Sequence, residues 1–372
     1  MNMSRFIYFF LFLIFPYASL SQQNLFEEAK ILIDDGKYSA AQSILNQISF
    51  NKNKKAEIMY LNAKCSKNLF LSDAVFLYNM LDKTFPYHAF KDEMNKDLAL
   101  IYYRQKQYTD AIHSFLKVES LLNEDIFKLA YSYFSLDSLE EARLYFSRLI
   151  HLESKFSSTS QYYYSYIAYK RGLYKSALEG FKQLLNDEKF SAIVPYYICQ
   201  IHFFQKEYDQ LIVFAKPLIE NVLPSRKSEI HRLLAEAYYR TGDFTNAIIH
   251  FEELIMQEKK KISLIHFSLG HCYYKLGNYE SAISNLEYVS GTSDSILQYS
   301  TYYLAASYLE LKHYNYSLQA FKKSASYNYN KELQEDAYYN YAKLSYQLDM
   351  PFENTLKILN FYLENFSYSD HA

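Results

Sequence analysis

The sequence predicts an all-α fold, an α-α superhelix built from about ten helical hairpins. Three observations lead to this prediction. The 372 residues include only 7 Gly and 6 Pro, far fewer chain breakers than sheet-based folds use in their turns. The composition, 50% hydrophobic and 22% charged, suits a folded chain and not a disordered one. One pattern of small and aromatic residues also recurs along the chain at gaps of 31–38 positions.

The recurring pattern is clearest in residues 273–287, YYKLGNYESAISNLE, where Ala282 marks a slot for a small residue. Ten such slots follow one another along the chain, and seven of them hold alanine. They are Ala41, Ala74, Ala111, Ala142, Ala177, Leu211, Ala247, Ala282, Ser317 and Thr355. A small side chain at this place allows two antiparallel helices to approach closely. The ten slots therefore predict ten places where paired helices come into contact.

Other positions keep a fixed distance from the slot. Tyr or Phe usually comes three places before the slot. Tyr often comes nine places before it, as at Tyr308 and Tyr346. A glycine comes five places before it at Gly36, Gly172, Gly242 and Gly277. Four places after the slot stand Leu45, Tyr78, Phe115, Phe146, Phe181, Phe251, Leu286, Phe321 and Leu359. Spacings of three, four and seven place side chains on one helix face. Glycine permits the positive φ of a tight turn. Each unit is thus predicted as helix A, a turn and helix B.

Three units depart from the pattern. In the sixth, Leu211 occupies the small slot and Ala215 the position for the aromatic residue, so the two volumes are exchanged. The second unit, residues 58–81, and the tenth, residues 338–362, fit loosely. A single unit of about 35 residues buries too little apolar surface to offset its conformational entropy. We therefore expect neighbouring units to stack as a solenoid.

The pattern resembles the tetratricopeptide repeat (TPR), a helical hairpin of ~34 residues. The resemblance covers residues 25–366, although the family's Trp in helix A is absent and its Pro after helix B is missing from most copies. It implies a right-handed superhelix of about ten hairpins in which helix A lines an inner groove. It also implies a scaffold that binds other proteins, similar to exported chains of Bacteroidetes-like bacteria.

The N-terminal residues 1–21 are predicted to be a secretory signal peptide. Arg5 precedes the apolar run FIYFFLFLIFPYA, and Ser19 and Ser21 provide small residues before a cut at Gln22. The run is shorter than the ~20 residues of a membrane-spanning helix, and a retained membrane anchor is the alternative. We expect the mature chain to lie in the periplasm or the cell envelope.

The superhelix is predicted over residues 22–366, and residues 367–372 are predicted to begin a further, truncated repeat. Asp370 would cap the next helix A there. The alternative is a frayed natural C-terminus. Because no polar cap is recognisable, self-association through an uncapped end is a further expectation.

The residues that carry chemistry elsewhere do not form a recognisable motif here. A net charge of −2 gives no basic surface for nucleic acid. Cys65, Cys199 and Cys272 are widely separated in apolar patterns and are predicted to be buried. His266 and His271 are five apart and lie on different helix faces, so they do not predict a metal site. The acidic residues are predicted to lie on exposed helix faces. We therefore predict no enzyme activity, no cofactor and no metal.

One set of aromatic residues recurs on helix A in repeats 4 to 9, eight places before the slot and one turn or so earlier. Gln200, Arg232 and Glu236 interrupt this set. The residues predicted to line the groove are Arg232 and the following aromatic residues: Phe127, Tyr131, Phe134, Tyr162, Tyr166, Tyr169, Tyr196, Phe203, Tyr239, Phe267, Tyr274 and Tyr302. Rings with hydroxyl tips suit an extended peptide or a helix, and they could also stack on sugar rings. The alternative is that the rings pack successive A helices together as core.

The functional hypothesis is an exported, non-enzymatic scaffold or adaptor that binds a protein or peptide in this groove and serves the assembly of a cell-envelope complex. The alternative is the helical accessory region of a peptidoglycan- or glycan-acting envelope protein whose active domain lies beyond Ala372. The sequence names neither the partner nor the pathway.

Overall fold

A computed structural model describes residues 22–48, 52–219, 224–257, 262–348 and 351–366. Within these ranges the chain forms twenty helices and no strand, which confirms the predicted all-α helical solenoid. The predicted signal peptide, residues 1–21, and the predicted further repeat, residues 367–372, lie outside the described residues. None of the described helices combines the length and the hydropathy that a membrane span requires.

The helices alternate as A and B along the chain. The A helices are α1 (22–34), α3 (Lys52–Asn68), α5 (Lys91–Arg104), α7 (Asn123–Ser135), α9 (Ser157–Lys170), α11 (Val194–Phe204), α13 (Pro224–Thr241), α15 (Ser263–Lys275), α17 (Asp294–Glu310) and α19 (Lys331–Gln347). The B helices are α2 (Tyr38–Leu45), α4 (Ala74–Thr84), α6 (Tyr108–Phe115), α8 (Leu139–Ser147), α10 (Tyr174–Lys182), α12 (Tyr208–Ala215), α14 (Phe244–Gln257), α16 (Tyr279–Leu286), α18 (Tyr314–Ala325) and α20 (Phe352–Asn365).

The chain divides into two compact units, Met1–Arg171 and Gly172–Ala372. In the first unit α1 to α8 pair as four hairpins, and α9 follows them. The second unit begins with α10, and α11 to α20 pair as five hairpins. Helices in each unit pack mainly against their neighbours in sequence, which is the contact pattern of a solenoid.

The small slots lie in the packed interior between helices. All ten slot residues are buried, Ala142 and Ala282 completely. On the facing helix α15, a Cβ added at Gly270 would lie 2.7 Å from Cγ of Leu286 on α16, so the backbone there leaves no room for a side chain. The exchanged pair Leu211 and Ala215 is fully buried as well. Both positions therefore remain in the packed interior although they swap sizes.

The turns between helices A and B need a residue with positive φ, and glycine is not always there to supply it. Gly277 has a φ of 76° between α15 and α16. The equivalent positions Lys106, Asp137, Lys206 and Lys312 adopt φ of 59–60° with an ordinary side chain. A residue with a Cβ pays roughly 1–2 kcal/mol for this left-handed conformation. The repeat thus tolerates local backbone strain in several turns.

This strain predicts opposite effects for two substitutions at equivalent turns. We expect Lys312→Gly to raise the free energy of unfolding by about 0.5 kcal/mol, because relief of strain exceeds the added entropy of the unfolded chain. Gly277→Ala should lower it by about 1 kcal/mol. Urea titration followed by circular dichroism measures both. A stabilised Gly277→Ala variant would contradict the left-handed assignment.

Polar contacts also join consecutive hairpins. The Tyr308 hydroxyl donates a hydrogen bond to Oε1 of Glu287 at 2.5 Å, and the Tyr273 hydroxyl donates one to Glu252. In each pair the tyrosine lies on an A helix and the glutamate lies 21 positions earlier, at the preceding B helix. The same alignment of an A helix against the preceding B helix therefore recurs between neighbouring hairpins. A shift of one helix by a turn would break these hydrogen bonds.

Two acidic side chains of the described residues are buried, so the prediction that acidic residues lie on exposed faces is wrong for them. Asp97 accepts a hydrogen bond from the Tyr78 hydroxyl at 2.6 Å and pairs with Lys67 of α3. Asp125 on α7 pairs with Lys96 of α5, at 2.7 Å between Nζ and Oδ2. In both cases the lysine comes from the preceding A helix, and this pairing offsets the cost of burying the carboxylate. Sequence spacing along a single helix does not show such a partner.

The tenth hairpin departs from its neighbours in the spacing of its helices. Helix α19 ends at Gln347 and α20 begins at Phe352, whereas α17 ends at Glu310 and α18 begins at Tyr314. Tyr346, predicted at the same repeat position as the half-buried Tyr308, is 72% exposed. The predicted equivalence of these two tyrosines is therefore wrong for Tyr346.

Candidate functional site

The predicted groove residues lie at positions i, i+4 or i+7 of the A helices α7, α9, α11, α13 and α15, and one more lies on α17. We call the aromatic stripe the following set: Phe127, Tyr131 and Phe134 on α7; Tyr162, Tyr166 and Tyr169 on α9; Tyr196, Gln200 and Phe203 on α11; Arg232, Glu236 and Tyr239 on α13; Phe267, His271 and Tyr274 on α15; and Tyr302 on α17. This spacing places the residues of one helix on a single face.

The exposure of the stripe lies between that of core and that of free surface. All twelve of the predicted aromatic residues are half-buried, and Arg232 is exposed. Each ring therefore has one part packed against the protein and another part that a partner can reach. The packed part of each ring agrees with the core interpretation, and the groove interpretation stays a prediction.

In the first unit, the stripe begins in the hydrophobic core. The Phe127 ring lies 5.8 Å from that of the fully buried Phe146 on α8 and 5.3 Å from that of Phe156 (centroid distances). Tyr163 of α9, which the sequence did not single out, joins the two A helices, because its ring lies 5.6 Å from Tyr131 and 4.9 Å from Phe134. The packing of α7 against α9 is thus made of aromatic rings.

The three α9 tyrosines extend this cluster along their helix. The rings of Tyr162 and Tyr166 are nearly parallel, at an interplanar angle of 14° and a centroid distance of 6.1 Å. Tyr169 follows, 6.4 Å from Tyr166. Together they form a half-buried strip of three rings, each with a polar tip.

In the second unit, charged residues of α13 interrupt the stripe. Arg232 pairs with Glu229 at 2.6 Å and Arg240 pairs with Glu236 at 2.8 Å, both within the helix. On α11, Nε2 of Gln200 donates to the Tyr196 hydroxyl at 2.6 Å. Exposed pairs of this kind contribute little to stability, so a ligand can exchange them at low cost.

His271 is a member of the stripe that sequence reasoning missed. The Tyr239 hydroxyl of α13 lies 2.8 Å from Nδ1 of His271 on α15, and the Tyr303 ring lies 4.5 Å from the imidazole (centroid distance). Burial, with a smaller contribution from Lys275, lowers the pKa of His271 to about 4, so the ring is neutral at pH 7. The sequence does place His271 at the stripe spacing, four residues after Phe267. It was overlooked because it is neither Tyr nor Phe.

The three cysteines are buried thiols. Cys65, Cys199 and Cys272 are buried, as predicted, and burial raises the pKa of the Cys65 thiol to about 11 and of the other two to about 12. These thiols are therefore protonated and unreactive at neutral pH. Across the described part of the chain, His, Cys, Asp and Glu form no group of three or more that could hold a metal ion.

Parts of the repeat region match two known protein-family profiles. A profile described as "Tetratricopeptide repeat" matches residues 96–116, and a profile for the anaphase-promoting complex, cyclosome, subunit 3, matches residues 205–289 and 240–324. No curated protein shows significant sequence similarity to the chain.

Several solved structures are similar to the chain at low identity. The C-terminal part of a TPR repeat-containing protein from Cytophaga hutchinsonii is 17% identical, with a TM-score of 0.49 over 64% of this chain and 97% of that one. The Naa15/Naa10 complex bound to HypK-THB is 14% identical, with a TM-score of 0.42 over 92% of this chain and 58% of that one. The TPR domain of P58(IPK) is 13% identical, with a TM-score of 0.28 over 89% of this chain and 99% of that one.

The two profile matches cover less than half of the chain, but they fall on hairpins that share the slot, turn and register described above. The recurring hairpins of this chain are therefore similar to tetratricopeptide repeats.

Proposed function

We propose that the chain is an exported scaffold that binds a protein or peptide segment along the aromatic stripe and takes part in a cell-envelope complex. The single observation that carries the proposal is the half-burial of the twelve stripe rings, which lie on successive A helices within each unit. Such rings are held in place by their packed side and lose little side-chain entropy on binding. Aromatic side chains with a polar tip are also the residue type that dominates the energy of protein interfaces.

The stripe suits an extended or helical peptide segment. On α9 the three tyrosines offer apolar ring surface with hydroxyls, and on α13 the exposed Arg232 offers a donor group. An extended segment has unpaired backbone groups that hydroxyl and guanidinium groups can meet. Export is proposed from the predicted signal peptide, residues 1–21, with Gln22 as the first residue of the mature chain.

The experiment is affinity capture from the envelope fraction of the native bacterium, with the tagged full-length chain as bait. We expect Tyr166→Ala/Tyr169→Ala in the first unit, or Tyr239→Ala/Tyr302→Ala in the second, to reduce capture of the specific partner at least tenfold, because each pair removes contact area. Tyr316→Ala, an exposed tyrosine of helix α18, is the matched control and should capture normally.

Helicity by circular dichroism must remain unchanged in each variant, since the Tyr239 and Tyr302 hydroxyls also form internal hydrogen bonds. Undiminished capture by both double variants would remove the stripe as the binding surface. Mass spectrometry of the recovered bait tests export in the same experiment: a mature chain that retains residues 1–21 contradicts the proposed cut.

The alternative is an accessory region of a peptidoglycan- or glycan-acting envelope protein. The near-parallel rings of Tyr162 and Tyr166 favour it, because flat rings can stack on sugars. In that case the bait should sediment with purified insoluble peptidoglycan, and Tyr162→Ala/Tyr166→Ala should abolish the sedimentation. The protein-scaffold proposal predicts no sedimentation with peptidoglycan alone.

A further inference from the structure

A cavity of about 550 Å³ lies within the second unit, between α18, α19 and α20. Its size falls in the range of small-molecule sites in proteins, roughly 300–1,000 Å³. It shares no lining residue with the aromatic stripe: its lining residues belong to the last turn of α18 and the residue after it, the first three turns of α19, and the second half of α20 with the residue after it. The proposed scaffold function does not use it.

Four of the eleven lining residues of the cavity are aromatic. The ring of Tyr338 on α19 is stacked on that of Phe361 on α20 at a centroid distance of 4.9 Å, and the Phe366 ring lies 5.9 Å from Tyr338. Ile358 adds an aliphatic side. Tyr338 and Ile358 are half-buried and Phe361 is 46% exposed, so part of this apolar surface is open to a ligand.

The charge of the lining has one sign. Lys322 on α18 and Lys331, the first residue of α19, both line the cavity, and none of the described lining residues is acidic. Neither ammonium group is paired with a carboxylate within the described residues. Lys331 also lies in the first turn of α19, where a positive charge is unfavourable and an anion is favourable. An anion bound in the cavity therefore finds two lysines that form no ion pair and no carboxylate among the described lining residues.

We propose that this cavity binds a small amphipathic anion, that is, an aromatic or acyl body that carries one carboxylate or sulfonate. The body packs against Tyr338, Phe361 and Ile358, and the anionic group lies between Lys322 and Lys331. Both parts are needed, because an apolar lining alone would accept a neutral compound and two surface lysines alone would accept any anion.

The test compares two dyes that share an aromatic body, using the full-length mature chain. Anilinonaphthalenesulfonate carries the anionic group, and phenylnaphthylamine lacks it. We expect saturable binding of the sulfonate with a blue-shifted emission, and displacement of it by decanoate. Lys322→Glu/Lys331→Glu should weaken sulfonate binding at least tenfold and change phenylnaphthylamine binding less than twofold.

Two further variants fix the location. Lys323→Glu/Lys343→Glu makes the same charge change on the same two helices, outside the cavity lining, and should alter sulfonate binding less than twofold. Ser326→Trp places a ring at a lining position and should reduce binding of both dyes, with helicity and the thermal midpoint as checks of folding. Sulfonate binding that survives either Lys322→Glu/Lys331→Glu or Ser326→Trp at full strength overturns the proposal, as does failure of the wild-type chain to bind the sulfonate.

Discussion

Phe146→Ala is expected to lower the free energy of unfolding by about 3–5 kcal/mol, because it removes a large ring from a packed core. Phe146 is fully buried in the position four places after the slot. Its ring lies 5.8 Å from Phe127 on α7 and is stacked at 5.1 Å on Tyr163 of α9. Removal of the ring leaves a cavity where three helices meet, and the rigid neighbouring rings cannot fill it.

Urea titration followed by circular dichroism measures the loss, and amide hydrogen exchange locates it. Because stability in a repeat array is a sum of local and nearest-neighbour terms, exchange should accelerate mainly in α7, α8 and α9. Leu144→Ala on the same helix is the matched control, since Leu144 is 55% exposed and its removal should cost less than about 0.5 kcal/mol. Equal losses for the two variants would show that the aromatic position is not a packing centre.

The seventh hairpin should be sensitive to acid because of a histidine pair. Nδ1 of His231 on α13 lies 3.0 Å from Nδ1 of His250 on α14, so the two rings share a single proton. Burial and the facing His231 lower the pKa of His250 to about 4, and burial also lowers the pKa of His231. Lys216 and Lys227 act in the same direction, whereas Glu253 opposes it.

The sign of the pH effect follows from the lowered pKa. The unfolded chain takes up a proton at His250 near pH 6.5 and the folded chain only near pH 4. Stability from this group is therefore complete above pH 6.5 and is lost as the pH falls toward 4. We expect a loss of about 2 kcal/mol, smaller than the full shift implies because water screens part of the ring.

The eighth hairpin supplies the matched variant. At the equivalent positions, 19 residues apart in both hairpins, Nδ1 of His266 lies 3.1 Å from Oδ1 of Asn285. His250→Asn should reproduce this contact, retain stability at pH 7.5 and lose less of it than the wild type at pH 5. His113→Asn, at an exposed histidine of α6, is the control. Urea midpoints at the two pH values decide the matter; identical losses in wild type and His250→Asn would contradict the role of the pair.

The fold could be predicted from the sequence because its determinants are local and repeated. Slot residues such as Ala282 and turn residues such as Gly277 recur at a fixed distance, and ten copies remove the ambiguity of one. The positive φ of Lys312 was not predictable from residue type, because lysine has no preference for it. It follows only from alignment with the glycine turns.

The candidate site was predicted in part. The spacing identified the face that carries Tyr166 and Tyr239, but it did not show that half of each ring is packed inside. His271 and Tyr303 were missed because a search for one residue type overlooks a position filled by another. Asp97 was misplaced for a similar reason: its partners, Tyr78 and Lys67, lie on other helices, and pairing across helices leaves no periodic signal.

The contacts between hairpins have a consequence for how the chain acquires its structure. The hydrogen bond from Tyr302 to Asp336 joins one A helix to the next across 34 positions, about one repeat, and the helices pack mainly against their neighbours in sequence. Contacts of such short range favour rapid folding. Each segment can thus reach its final packing once the following thirty or so residues have emerged, and a chain delivered slowly from one end, by a ribosome or a translocation channel, never waits for its far terminus.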